Sequence, residues 1–160
     1  MTSPEILLTR IDNRLIHGQV ATQWAKELGA SVLIVANDEA AADTFRQELM
    51  NMAAPAGVTT KYIPVADING TLEQLKPDAR VFIIVADPLD AKRLMEKTDA
   101  VKRINVGNMH MSEGKHQVAT TVALDDTDKD LFRQMKEAGA DLFIQRVPGS
   151  AVENPDALTK

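Results

Sequence analysis

The chain has 160 residues, a formal net charge of −5 at pH 7, 44% hydrophobic residues and no cysteine. That length and apolar content predict one domain, residues 1–160, with a proper core. The missing cysteines exclude disulfides and thiolate chemistry, and the acidic balance, with only one Trp, one Tyr and four Phe, argues against a nucleic-acid partner.

No apolar run approaches the ~18 residues of a membrane span. The start, MTSPEILLTR, lacks the basic and apolar regions of a leader, so the expected location is cytoplasmic. In chain order, residues 6–8 (ILL) predict a first strand. A polar stretch follows, and then a helix in which Val20, Trp24 and Leu28 recur every four residues and Gly29 supplies the stop. Residues 32–36 (VLIVA) predict a strand covered on both faces. Ala42, Phe45 and Leu49 predict a helix that ends before Pro55 and Gly57.

Residues 62–65 and 81–86 predict two further strands. Asp87-Pro88 reads as a cap and first turn for a helix carrying Leu89, Leu94 and Met95. Residues 104–106 predict a strand. Leu131, Met135 and Ala138 mark a helix that ends at Gly139, and residues 142–147 predict the last strand. From about Gly149 the chain reads as a short polar tail.

Strands alternating with helices predict an α/β domain: a mostly parallel central sheet with helices on both faces. Ligands of such sheets bind beyond the carboxyl ends of the strands. Residues 9–17, Asn37-Asp38, Asp87-Pro88 and residues 107–110 are all expected there.

The segment TRIDNRLIHGQV, residues 9–20, carries the chemistry. His17 is expected at or just before the first turn of the helix that holds Trp24, where free N–H groups and the helix dipole favour an anion. A neutral imidazole is a nucleophile. Arg14, three residues earlier, offers a forked donor for phosphate. Asp12 is a candidate to orient the imidazole or Arg14, or to serve only as a cap. Gly18 leaves room beside the ring for a bulky partner. These parts suit phosphoryl transfer through a covalent phosphohistidine.

The segment RIDNRLIHGQVATQWAKELGA resembles the phosphorylated loop and first helix of the mannose/fructose/sorbose family of enzyme IIB components of the bacterial sugar phosphotransferase system. INVGNMHMSEGKHQV and DDTDKDLFRQMKEAGADLFIQRVPG resemble two further family segments, so the likeness covers essentially the whole chain. The resemblance implies that His17 accepts a phosphoryl group from a phosphorylated IIA component, with Nδ1 attacking. It implies that Arg14 steadies the phosphate and that Asp12 belongs to the same loop pattern. The group then passes to a sugar held by the membrane components IIC and IID, which would place the chain at the inner face of the membrane. The RIDNRL form, with Asn13 where many relatives have aspartate, resembles the N-acetylgalactosamine or galactosamine branch. Met111 stands where an aromatic residue is common. A homodimer is left open.

Other residues carry less. His110, after the fifth predicted strand, is a candidate to line the same mouth, with Gly107 supplying an unusual backbone angle for a tight turn. His116 is expected to be exposed. The three histidines lack metal-ligand spacing, no phosphate-binding glycine loop is present, and Ser112 is in no nucleophile elbow, so no metal and no cofactor are expected. Lys26 and Glu27 are expected on the outer face of the first helix. The methionines at 50, 52, 109 and 111 are expected as core filler. Leu15 and Ile16 are a candidate docking patch for IIA. The rival readings are a regulatory module that binds phosphate or a phosphoprotein without a covalent bond and, more remotely, a nucleotide-binding domain.

Overall fold

The computed structural model describes residues 4–160; Met1, Thr2 and Ser3, the start of the stretch read above for a leader, lie outside the described residues. Six strands form one parallel sheet: β1 (Glu5–Asp12), β2 (Val32–Ala36), β3 (Thr59–Ile63), β4 (Arg80–Val85), β5 (Arg103–Asn108) and β8 (Asp141–Ile144). Their order is β3-β2-β4-β1-β5-β8. A separate hairpin, β6 (His116–Ala119) and β7 (Val122–Leu124), follows β5 and was not anticipated.

The central strands show why the sheet forms. β2 is buried along its whole length, and β4 is buried from Val81 to Val85. Val and Ile suit a pleated surface covered on both sides. On one face Leu8, Leu33, Val35, Phe82 and Ile84 pack under Trp24 and Ala25 of α1 (Val20–Leu28) and Met50 of α3 (Thr44–Asn51). On the other, Ile34, Ile83, Ile104 and Val106 pack under three helices: α4 (Ile68–Gln74), α5 (Pro88–Lys97) and α6 (Asp126–Glu137). Each fully buried aliphatic or aromatic side chain contributes about 1.5–3 kcal/mol. The expected α/β architecture, parallel and covered on both faces, is what the chain adopts.

Several boundaries differ from expectation, each for a physical reason. β3 begins at Thr59 and stops before Pro64, which has no N–H to give a ladder. A short helix α2 (Asp38–Ala41) precedes α3, and α3 turns Met50 inward while Phe45 and Leu49 stay exposed. Of the methionines expected in the core, Met50 and Met109 are buried, whereas Met52 and Met111 are exposed. The tail is tied down: Glu153 bridges to Ile144, and Leu158, in a 3-10 turn (Pro155–Leu158), is fully buried. Gly29 caps α1 in the left-handed conformation, as its position predicts.

Strand order fixes where a ligand can sit. The chain leaves β1 through α1 toward β2 on one side, and leaves β5 toward β8 on the other. β1 and β5 are neighbours, so the crevice between diverging connections opens at their carboxyl ends. Asp12 ends β1 and Asn108 ends β5, and the two residues are partners just past a register shift that skips Gly107.

Candidate functional site

β1 runs four residues further than its apolar run and carries Thr9, Arg10, Ile11 and Asp12 into the sheet. All four are buried. Arg10 and Asp12 point to the α1 side, the side of Leu8 and Trp24, because strand side chains alternate. Asp12 is fully buried and organises the loop that follows. Its Oδ1 accepts from the Arg14 backbone N–H at 3.0 Å and from Arg14 Nε at 3.4 Å. Its Oδ2 accepts from a terminal nitrogen of Arg10 at 3.1 Å and lies 3.9 Å from His17 Nδ1.

The loop between Asp12 and α1 is nailed down by its own apolar residues. Leu15 and Ile16 are 2% and 4% exposed and join the cluster around Trp24. They are therefore no docking patch: their burial is what turns Arg14 and His17 outward. Leu15 has a φ of 60°, the one positive value for a non-glycine among the described residues, and Gly18 has a φ of 50°. A left-handed leucine stores about 1–3 kcal/mol of strain, which its buried side chain offsets. Asn13 fastens the loop to β5: its N–H donates to the Asn108 carbonyl, and its side-chain oxygen accepts from Asn108 Nδ2.

His17 is half-buried, three residues before α1. Its Nδ1 faces the Leu15 carbonyl at 3.4 Å. The start of α1 is bare. Gln19 occupies the cap position without a side-chain hydrogen bond, and the first turn holds no acidic residue. The other helices of eight or more residues close this end with an aspartate: Asp43 in α3, Asp87 in α5 and Asp125 in α6. The N–H groups and positive dipole end of α1 stay available to an anion beside His17. Two clefts, of about 490 and 450 Å³, lie away from His17 and Arg14 at the amino end of the sheet, lined by residues such as Lys102 and Gly139 or Ser31 and Ala79.

Arg10 was not anticipated as a site residue. It is 1% exposed, among the largest fully buried side chains. One terminal nitrogen donates to Asn105 Oδ1 at 2.6 Å and to the Gln145 carbonyl at 3.2 Å, and the other donates to Asp12. The guanidinium lies over the Trp24 ring, 5.7 Å from its centroid. Burial lowers its affinity for its proton, and Asp12 opposes that effect. Gly107 has no left-handed backbone angle, contrary to expectation. It lies within β5, and a Cβ there would fall on the Arg10 guanidinium. The missing side chain makes room for Arg10.

His110 and His116 are exposed, and among the described residues neither shares a hydrogen bond or ion pair with His17. Lys26 and Glu27 are exposed on α1, as expected.

The sequence family described as "PTS system sorbose subfamily IIB component" matches residues 6–160. The chain belongs to this family of phosphotransferase-system IIB components. The IIB component is 41% identical over 158 residues to the N-acetylgalactosamine-specific phosphotransferase enzyme IIB component 1 of Escherichia coli K12, covering 98% of this chain and all of the relative. It is 40% identical over 141 residues to the mannose-specific EIIAB component of the same organism, covering 88% of this chain and 44% of that longer protein. A crystal structure of the E. coli N-acetylgalactosamine-specific IIB component 1 superposes with a TM-score of 0.88 at 38% identity, covering 94% of this chain and 99% of the other. The sorbose permease IIB domain of Klebsiella pneumoniae superposes with a TM-score of 0.86 at 31% identity, covering 96% of each. The resemblance read from the loop and helix motifs is borne out. As a member of this family the IIB component is a phosphotransferase that carries phosphoryl groups in sugar uptake, and the non-covalent regulatory reading gives way to it.

Proposed function

We propose that His17 is the residue that carries the phosphoryl group. One observation supports this above the rest: a partly exposed imidazole stands before an uncapped helix start, and it and Arg14 face the two oxygens of one buried carboxylate, Asp12. A nitrogen of His17 attacks phosphorus as the nitrogen–phosphorus bond of a donor phosphohistidine breaks, and the donor imidazole departs. In the second step a sugar hydroxyl attacks the same phosphorus, and its proton passes to the departing His17 ring. Positioning and charge do the work in such transfers. Arg14 supplies forked donors and α1 its free N–H groups.

Attack through Nδ1, the atom implied by the resemblance, requires the ring to turn away from the Leu15 carbonyl. The 3.4 Å contact is long for a hydrogen bond, so leaving it costs little. The donor is a IIA component, and the acceptor is a sugar held by IIC and IID at the inner face of a membrane. No helix among the described residues is long and apolar enough to cross that membrane. In this reading the chain works as one cytoplasmic domain, residues 1–160, docked to those components. The names of its relatives favour N-acetylgalactosamine as the sugar. Exposed Leu89 and Met111, which follow the carboxyl ends of β4 and β5 beside β1, give a partner apolar contacts that Leu15 and Ile16 cannot.

The test is to incubate the chain with phosphoenolpyruvate, the two general phosphotransferase proteins and a matching IIA. An acid-labile, base-stable phosphate on His17 is expected. Label on His110 or on a serine rejects the assignment.

A further inference from the structure

The loop around His17 must receive a dianionic phosphoryl group, yet it is built on a fully buried carboxylate. Asp12 stands 3.9 Å from the imidazole. A bare carboxylate there repels phosphate and draws Arg14 away from it. The remedy lies beneath the site. Arg10 spans three strands, from Asp12 on its own β1 to Asn105 on β5 and to the Gln145 carbonyl just past β8. Register supports the span, since Arg10 and Asn105 are partners across the β1–β5 ladder. Gly107 clears the path.

We propose that Arg10 is a positioning residue for phosphoryl transfer. It holds Asp12 Oδ2, which leaves Oδ1 to fix Arg14 beside His17, and its charge offsets the carboxylate so that the site accepts an anion. The inference rests on the reading of His17 as the carrier. Arg10 touches neither phosphate nor the imidazole and acts through Asp12 and Arg14 alone. It has no free path to solvent, so it is no part of a docking surface.

A residue that only braced the fold would change stability, and transfer only through the fraction folded. A positioning residue changes the transfer rate of the folded protein. The experiment measures phosphorylation by a purified phosphorylated IIA as a function of donor concentration, below the melting temperature of each variant. Arg10→Met is expected to lower kcat about tenfold or more, with donor KM within about twofold, because the donor surface is untouched. The double variant Arg10→Met/Asp12→Asn removes both charges, so it should recover melting temperature but not kcat. Gly107→Ala keeps every charge and pushes the guanidinium off its seat. It should reproduce the loss in kcat and shift the Arg14 Nε–H resonance, and it serves as the test if Arg10→Met does not fold. Arg10→Lys should rescue only in part, since one ammonium cannot span the three partners.

A folded variant that lacks or displaces Arg10 yet keeps its kcat overturns the proposal while leaving His17 as carrier. So does a double variant whose kcat recovers together with its melting temperature. A wild-type chain that takes no label on His17 fails the carrier reading itself, and the proposal falls with it.

Discussion

Asp12 and Arg14 meet twice through a single oxygen: Asp12 Oδ1 accepts from the Arg14 backbone N–H at 3.0 Å and from its Nε at 3.4 Å. The first bond shapes the turn that leaves β1, and the second aims the side chain. Arg14 is exposed, so without that hold its long side chain samples many rotamers. With it, Arg14 is anchored to one oxygen of the carboxylate whose other oxygen lies 3.9 Å from His17 Nδ1. Arg14→Lys keeps the charge but loses both the Nε contact and the fork. Its kcat for phosphorylation by a phosphorylated IIA should fall about tenfold to a hundredfold, in line with the worth of a charge-assisted hydrogen bond. Donor-concentration series on folded protein provide the measurement, and a lysine variant with an unchanged kcat would remove Arg14 from the mechanism.

His17→Ala should abolish the acid-labile label and leave the fold intact. Among the described residues the ring's polar neighbours are the Leu15 carbonyl and, at 3.9 Å, Asp12, with no short hydrogen bond to lose, so stability should change by about 1 kcal/mol or less. Thermal melts alongside labelling separate the two effects.

Asp12→Ala should behave in the opposite way. It strands the Arg10 guanidinium in a buried site, a loss of about 3–5 kcal/mol, equivalent to a fall in melting temperature on the order of 10 °C for a chain of this size. A melt close to wild type would show that Asn105 and the Gln145 carbonyl satisfy Arg10 by themselves.

The phosphorylated nitrogen can be read directly. Long-range ¹H–¹⁵N NMR of the labelled protein should place phosphate on Nδ1, with the ring turned off the Leu15 carbonyl. Phosphate on Nε2 would mean that the ring keeps its resting orientation throughout the cycle.

Away from the site, Asp90 offers a test of charge burial. Burial raises its carboxyl above the usual value, Asp87 adds to the rise, and Arg93 partly opposes it. The folded chain thus holds this proton more tightly than the unfolded chain. Stability from Asp90 is fully present below the ordinary aspartate value of about 3.9 and is lost as pH rises through the higher folded value. Asp90→Asn should therefore melt above wild type at pH 7, with the gap closing toward pH 4. A lower melting temperature at pH 7 would show that the ion pair with Arg93 outweighs the cost of burial.

Apolar periodicity located the six strands of the main sheet and the helices α1, α3, α5 and α6, because burial on both faces writes long runs of Val, Ile and Leu. It failed where burial was polar. Thr9, Arg10 and Asp12 look like loop residues, and backbone pairing with β4 and β5 makes them strand. The Arg10 side chain finds its partners Asn105 and the Gln145 carbonyl 95 and 135 residues away, beyond any local pattern. Gly107 was visible, but its reason was not: the guanidinium it accommodates belongs to another strand. Leu15 and Ile16 were misread because adjacent apolar residues in a polar loop carry no sign of which way they face. The proposed roles of His17 and Arg14 rest on a local arrangement, a nucleophile and a fork three residues apart before a helix, which a sequence carries openly.

The open end of α1 also explains a restraint on how sturdy this chain can become. Gln19 is where a designer seeking thermostability would place aspartate, for a gain of about 1 kcal/mol. That carboxylate would fill the amides an incoming oxyanion needs and plant a negative charge at the doorway. Selection for heat tolerance should find its improvements elsewhere and spare this position, a trade between durability and turnover set by one unblocked helix tip.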